Sequence, residues 1–477
     1  MLGELLSLTL VKAGRIFSPS SPPMTDADLI ARYDGRAPRY TSYPTAPHFT
    51  GAVGESVYAR WLAELPADAP LSLYLHVPFC DRLCFYCGCN TSVVRLESSH
   101  RAYAKRLMAE IERVAAAIGR PLPARHAHWG GGTPTTLPAD ELIAVMRLLR
   151  ERFAFAPDAE IAIEIDPTSI AEDRLAALRE MGVTRISLGV QDLEPAVQEA
   201  IGRRQSYEQT EACARAARAL GVRSLNLDLI YGLPLQTVES VTRTARRALD
   251  LGADRAAVFG YAHVPWMKKH QAVIPEESLP GAAERYAQQQ AIHRVLTEEG
   301  GYVAIGLDHY AKPDDAMAVA AASGRLRRGF QGYTTDDAPV LIGFGASAIG
   351  QLPQGYVQNA PTAAAYGGLI DKGGLAAVRG VGLHDEDRLR RDVIERLMCA
   401  LEVDLVATAE ARGADPAGLL ADAAGVARLV EDGLAAFDGR RLVVTERGRP
   451  FLRTAAALFD AYLAKSDDGK PRHARAI

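Results

Sequence analysis

From Leu71 onward, short apolar runs alternate with stretches of helical periodicity, and this alternation restricts the fold more than any other feature. The runs lie at 71–77, 126–130, 160–166, 185–191, 224–230, 256–262 and 302–308. Helical patterns separate them at 100–118, 139–153, 170–181, 207–220, 237–251 and 282–299. Strands that alternate with helices pair in parallel through crossover connections. Seven such strands approach the eight of a closed barrel, so the pattern predicts an α/β fold with a partial TIM-type barrel over residues 71–350.

A strand presents alternate side chains to opposite faces. In the first run Leu71, Leu73, Leu75 and Val77 oppose Ser72, Tyr74 and His76; in the third Ile161, Ile163 and Ile165 oppose Ala162, Glu164 and Asp166. The fourth sets Ile186, Leu188 and Val190 against Ser187, Gly189 and Gln191, and the fifth sets Leu225, Leu227 and Leu229 against Asn226, Asp228 and Ile230. One face of each is apolar and should pack on the helices. The other carries small and polar residues toward the C-terminal end, where bulky branched residues would fill an ordinary barrel. Glu164, Gln191 and Asp228 are costly there unless they form a closed polar network or bind something. The same asymmetry at the same end of four strands favours a lined ligand chamber.

The flanking segments read differently. Residues 1–23 read as an extension preceding a second methionine at Met24; the apolar run from Leu5 to Val11 is short and lacks a basic lead or cleavage site. Residues 24–70 read as an N-terminal arm. Within it Pro38 to Thr45 is rich in aromatic and turn-forming residues and is held extended at Pro44, so it serves either to cover a site or as a surface wrap. Residues 351–383, rich in Gly, Ala and Pro, read as an irregular connection. Residues 384–465 read as a small, mostly helical, winged-helix-like domain with a hairpin turning at Asp438-Gly439, followed by a polar tail over 466–477. Acidic residues dilute the basic ones in this domain, which points to a lid or packing role rather than nucleic-acid binding. The net charge of −4 over 477 residues likewise leaves no overall footprint for nucleic acid. No apolar run is long enough to span a bilayer.

Four of the six cysteines fall within the ten residues Cys80 to Cys89, directly after the first strand. With only Cys213 and Cys399 elsewhere there is no disulfide framework, and a reducing cytoplasm is the expected compartment. The spacing Cys-x3-Cys-x2-Cys-x-Cys places every thiol on one loop, whereas structural zinc sites usually draw pairs from separated knuckles. Three thiolates on one loop can hold three irons of a [4Fe–4S] cube and leave the fourth open to a ligand. Zinc remains the plainer alternative.

Cys80-x3-Cys84-x-Tyr86-Cys87 after a first barrel strand resembles the radical S-adenosylmethionine (SAM) superfamily. His76-Val-Pro-Phe-Cys, Cys87-Gly-Cys-Asn, His128-Trp-Gly-Gly-Gly-Thr-Pro-Thr135, Gly189-Val-Gln-Asp192, Asn226-Leu-Asp-Leu-Ile-Tyr-Gly-Leu-Pro234 and Phe330-Gln-Gly-Tyr-Thr-Thr335 together resemble the bacterial oxygen-independent coproporphyrinogen III oxidases (dehydrogenases). The resemblance runs from about Met24 to the end and implies a (β/α)6-like radical SAM barrel. A related group of haem chaperones shares the barrel and three cysteines; Cys89 and the Pro38–Thr45 arm set this chain apart from it. A haem-binding chaperone without oxidase activity is the second reading.

The resemblance implies that Cys80, Cys84 and Cys87 bind a [4Fe–4S] cluster and that Cys89, not a ligand, takes part in the reaction; a buried structural thiol is the plain alternative. It implies two SAM molecules, the first at Tyr74, Gly131, Glu164 and Ile349, the second at Gly132, Thr133, Gln191, Arg203, Asp228 and Ala262. Of these, Tyr74, Glu164, Gln191 and Asp228 were reached independently through strand periodicity, whereas Arg203 read alone is a surface residue. The implied reaction removes a hydrogen from the β-carbon of a propionate, releases CO2 and one electron, and repeats this on a second propionate, giving protoporphyrinogen IX. The implied partners are coproporphyrinogen III and a reductant such as flavodoxin or ferredoxin, with a monomeric, cytoplasmic enzyme and no membrane or nucleic-acid partner. Arg39, Lys268 and Lys269 are candidates for the substrate carboxylates, although a solvated face is the plainer reading of the two lysines.

Overall fold

The computed structural model of the chain describes residues 24–420, 423–463 and 473–475. The extension read over 1–23 and nearly all of the polar tail lie outside them. The chain forms two compact units, one of residues 44–384 and one joining the segment up to Tyr43 with Asp385 and beyond.

The larger unit is built on one sheet of twelve strands. In chain order these are β1 (Leu71–Val77), β2 (Pro123–Gly131), β3 (Ala154–Ile165), β4 (Arg185–Gln191), β5 (Ser224–Tyr231), β6 (Arg255–Gly260), β7 (Val303–Ile305), β8 (His309–Ala311), β9 (Val340–Phe344), β10 (Ile349–Leu352), β11 (Gly355–Asn359) and β12 (Ala377–Gly382). The spatial order is β12-β11-β10-β9-β1-β2-β3-β4-β5-β6-β8-β7, so the sheet does not close on itself. β9 and β1 to β6 pair in parallel. Helices α1 (Glu97–Ile118), α2 (Ala139–Arg152), α3 (Glu172–Met181), α4 (Tyr207–Ala219) and α5 (Val238–Asp250) make the crossovers, and α6 (Ala282–Arg294) follows β6. Local signals set where they begin: Ser206 and Thr237 each accept the backbone N–H three residues on, in capping boxes that open α4 and α5.

The apolar strand face packs as its period requires. Leu73, Leu75, Ile163, Leu188, Leu227 and Val258 share a core with Leu107, Ile111, Leu142, Leu149, Leu178 and Val241 of the helices. Each such side chain contributes about 1.5–3 kcal/mol on burial, which makes this layer the main stabiliser of the sheet.

Three sequence expectations for the larger unit need correcting. The strand expected at 302–308 is instead the antiparallel hairpin β7–β8, which turns the sheet edge back on β6. β9, absent from the expected set, completes the parallel sheet on the far side of β1. The connection expected to be irregular over 351–383 is a meander, β10 to β12, with the helix Ala363–Asp371 between its last two strands. Glycine there reflects close approach rather than disorder, since a Cβ on Gly380 would collide with the Tyr356 carbonyl.

The smaller unit contains the helices Asp385–Ala400, Leu405–Glu410 and Ala423–Glu431, then the hairpin Ala435–Phe437/Arg441–Val444. Asp438 Oδ1 accepts from the backbone N–H groups of Arg440 and Arg441 and so shapes the hairpin turn. A third short strand, Glu402–Asp404, pairs with Arg441–Val444 and completes the wing. The N-terminal arm, expected as one piece over 24–70, divides at Tyr43. Its first part belongs to this unit: Arg32 pairs with Asp432 at 2.8 Å, the Tyr33 hydroxyl donates to the same carboxylate at 2.6 Å, and Arg453 Nε donates to Pro38 O at 3.0 Å. Tyr40 and Tyr43 are buried here, so 38–43 is a packed element and not an exposed wrap.

Candidate active site

The site lies where the parallel strands end. β1 runs into Phe79–Cys80, which bridges Ser92–Val93 and fixes the base of the cysteine loop. Each of the three thiols in the Cys-x3-Cys-x2-Cys motif has an N–H or O–H donor directed at its sulfur. Cys80 Sγ lies 3.1 Å from Thr91 Oγ1 and 3.7 Å from Thr133 Oγ1; Cys84 Sγ lies 3.6 Å from Arg203 Nη1; Cys87 Sγ lies 3.4 Å from the backbone nitrogen of Cys89. Such a donor set suits anionic thiolates, the form in which cysteine binds an iron–sulfur cluster. The Cys89 thiol hydrogen-bonds to Cys87, which is chiefly why the Cys87 thiol is held below its ordinary value and the Cys89 thiol above it.

The loop is also held from outside. The segment after β6 includes the turn Lys269–Val273, and three of its neighbouring side chains reach the loop's backbone carbonyls. Lys268 Nζ lies 2.9 Å from Cys89 O, His270 Nε2 2.7 Å from Cys87 O, and Gln271 Nε2 2.8 Å from Tyr86 O. Lys268, half-buried, therefore bonds to the loop at its exposed end, while Lys269 is exposed.

On the polar side of the sheet, two groups of residues form. In the first, the Tyr74 hydroxyl lies 3.0 Å from His76 Nδ1, and His76 Nε2 lies 2.9 Å from Asn90 O, which puts the imidazole proton on Nε2. Glu164 accepts from His128 Nε2 at 3.1 Å and from the Gly131 backbone at 3.2 Å. Burial pushes the Glu164 carboxyl up, but these bonds outweigh it and hold the group below its ordinary value. Gly131 has φ +110, and a Cβ there would sit 2.6 Å from the His76 ring, so backbone and imidazole meet only because the residue is glycine. Ile349 opens β10, and its carbonyl passes against Gly343, the β9 partner of Tyr74. Tyr74, Gly131, Glu164 and Ile349 thus surround the ends of β1, β2, β3 and β9.

The second group is centred on Arg203, which is 7% exposed. Its Nη1 donates to Asp166 Oδ2 at 3.1 Å and its Nη2 to Gly189 O at 2.7 Å, while Nε is buried without a partner among the described residues. A Cβ built on Gly189 would lie 2.9 Å from Gln191 Nε2 and 3.2 Å from Arg203 Nη2, which brings these side chains together. Gln191 sits at φ +67, a strained conformation for a non-glycine residue. Asp228 accepts from Ser187 Oγ at 3.0 Å and Asn226 Nδ2 at 2.8 Å. Ala262 lies just beyond the end of β6, the strand that pairs with Asp228's own. Thr133 is less central: its hydroxyl faces Cys80 rather than Arg203 or Asp228. The glycine turn, the two carboxylates and the orphaned guanidinium nitrogen suit a ligand with amino, hydroxyl and carboxylate groups, as SAM has.

Burial, with the Glu164 charge second, pushes the Asp228 carboxyl up to about 6 from 3.8. The shift is upward. Its contribution to stability is therefore complete below pH 3.8 and is lost as the pH rises through about 6. Above that pH the cost is on the order of 3 kcal/mol. Thermal melts of the apoprotein should show Asp228→Asn more stable than wild type at pH 8, with the gap closing toward pH 4; a gap of constant size would contradict the assignment.

Sequence reading missed His76, His128 and Asp166 as site residues. The first two lay inside quoted motifs, and Asp166 lay on the polar face of its strand, so a signal was present. His270 and Gln271 carried none.

Two family models match the chain: the radical SAM superfamily over residues 74–248 and the HemN C-terminal domain over residues 383–451. An oxygen-independent coproporphyrinogen III oxidase of Bradyrhizobium diazoefficiens is 51% identical, covering 94% of this chain and 100% of the relative. A Paracoccus denitrificans protein of the same name is 45% identical over 91% of this chain and 96% of its own length. Among solved structures, coproporphyrinogen III oxidase (HemN) from Escherichia coli, described as a radical SAM enzyme, superposes with a TM-score of 0.86 at 39% identity, covering 93% of this chain and 100% of that one.

Proposed function

The chain belongs to the oxygen-independent coproporphyrinogen III oxidase family of radical SAM enzymes, and on that premise we propose that it converts coproporphyrinogen III to protoporphyrinogen IX, turning two propionates into vinyl groups. The observation that carries this reading is that each of the three thiols has a donor at its sulfur, Arg203 Nη1 being the one at Cys84, while the carboxylates of Glu164 and Asp228 lie on the polar face of the same parallel sheet. When bound, the cluster and SAM supply one-electron cleavage of a carbon–sulfur bond and with it the abstraction of a hydrogen atom.

The residues of the chain then have distinct tasks. Cys80, Cys84 and Cys87 hold the cluster, and the donors at each sulfur keep the thiolates oriented. Tyr74, Gly131, Glu164 and Ile349 hold one SAM, with Glu164 as the carboxylate for its amino or hydroxyl groups. Gln191, Arg203, Asp228 and Ala262 line a second SAM site, in which Arg203 receives a carboxylate, and Gly132 and Thr133, whose backbone nitrogens donate to Val77 O and Phe79 O, serve it from the base of the cysteine loop. Residues 44–384 supply this site. The reductant is a one-electron protein of the flavodoxin or ferredoxin class, and the enzyme acts as a cytoplasmic monomer. No described helix is long and apolar enough to cross a membrane.

Cys89, exposed and two residues beyond Cys87, whose sulfur its backbone nitrogen faces, is assigned the role of holding or releasing a proton. In Cys89→Ser the cluster spectrum should persist while product formation falls by about 10²-fold, the scale of losing one proton-transfer group. Loss of the cluster itself would make Cys89 a ligand. The function is tested by anaerobic reconstitution with iron and sulfide, then incubation with SAM, a reductant and coproporphyrinogen III. Protoporphyrin after oxidation is the expected product; SAM cleavage without any vinyl product would refute the proposal.

A further inference from the structure

We propose that Lys268 is a positioning residue that tunes the cysteine-bound cluster, its ammonium at the Cys89 carbonyl favouring the reduced state; the inference rests on the cluster assignment above. Three side chains from one short segment reach three carbonyls of the cysteine loop: Lys268 to Cys89 O at 2.9 Å, His270 to Cys87 O at 2.7 Å and Gln271 to Tyr86 O at 2.8 Å. Gln271 is itself locked, because its Oε1 accepts from Val264 N at 2.6 Å. Gln271 and His270 are enough to fix the loop between Tyr86 and Cys87. Lys268 adds something they do not, a permanent positive charge at the end of a flexible stem whose ordinary place is solvent.

That charge meets a backbone carbonyl rather than a carboxylate, so it is not cancelled locally. A [4Fe–4S] core of charge +2 bound by three thiolates carries a net charge of −1, and one added electron makes it −2; no bond forms or breaks in that step. Cations and hydrogen bonds near the ligand sulfurs favour the more negative state. Arg203 Nη1, 3.6 Å from Cys84 Sγ, acts in the same sense, but it also lines the proposed second SAM site. Lys268 is therefore the cleaner probe.

The test is a potentiometric titration of the anaerobically reconstituted full-length enzyme, without SAM, with dithionite as the one-electron reductant and electron paramagnetic resonance as the readout. Lys268→Gln keeps a hydrogen-bond donor but loses the charge, whereas Lys268→Arg keeps both. At a fixed potential the ratio of reduced to oxidised cluster should fall about tenfold in Lys268→Gln, equal to ~59 mV for a one-electron couple. Lys268→Arg should stay within about threefold of wild type. An unchanged ratio in Lys268→Gln with full iron content overturns the proposal. So does loss of iron in Lys268→Gln, since it would make Lys268 a structural clamp only. Wild-type protein that forms no reducible cluster would instead refute the cluster assignment itself, and this inference with it.

Discussion

Cys84→Ser is expected to abolish the cluster and with it all product formation, a loss of at least ~10³-fold in turnover. Cys84 is buried on a loop whose other ligands cannot move to replace it. Cys80 is tied to Thr91 and Thr133, and the carbonyls of Tyr86, Cys87 and Cys89 are each held by a side chain from the segment after β6. A serine hydroxyl is a poor ligand for iron in a cluster, where softer thiolate is preferred. Arg203 Nη1 would also lose the sulfur it now faces. The measurement is iron content with the visible spectrum after anaerobic reconstitution. Cys213→Ser and Cys399→Ser serve as controls: both cysteines are buried on helices elsewhere and should leave the cluster intact. A normal cluster in Cys84→Ser would mean that Cys89 substitutes as the third ligand.

The second large effect is expected at Glu164. Its two oxygens accept from His128 Nε2 and from the Gly131 nitrogen, and the charge remains because these bonds outweigh burial. In Glu164→Gln the amide NH2 cannot accept, so one of the two donors loses its partner, and the negative charge that would meet SAM is gone. Together these should weaken SAM binding by about 2–4 kcal/mol, roughly 30- to 10³-fold. Equilibrium dialysis on the reconstituted variant measures this directly, and the cluster spectrum should be unaltered because Glu164 touches no sulfur among the described contacts. SAM affinity equal to wild type would remove Glu164 from the cofactor site.

The polar face of the sheet was legible because strand period is local. Tyr74, Glu164, Gln191 and Asp228 follow from alternation within single runs, and each belongs to a strand that the structure forms. The cysteine loop was legible because its ligands are close in sequence. What could not be read depends on contacts between distant segments. Val340–Phe344 pairs with β1 across more than two hundred residues, and no pattern in either run announces the other. The meander is not legible in the sequence because small residues usually mark loops, whereas at Gly380 the close approach of two strands requires one. Lys268, His270 and Gln271 act through backbone carbonyls, which any residue possesses, so their targets leave no trace in composition or spacing. The grouping of residues 24–43 with the C-terminal module likewise depends on pairs such as Arg32 and Asp432, separated by 400 positions.

The most direct test of the account is isotope transfer from substrate to cofactor. Coproporphyrinogen III deuterated at the β-carbons of its propionates, turned over anaerobically with unlabelled SAM, should yield 5′-deoxyadenosine carrying one deuterium, in a ratio of two per protoporphyrinogen IX formed. Deuterium-free 5′-deoxyadenosine alongside normal vinyl product would contradict hydrogen abstraction from the propionate and with it the proposed mechanism.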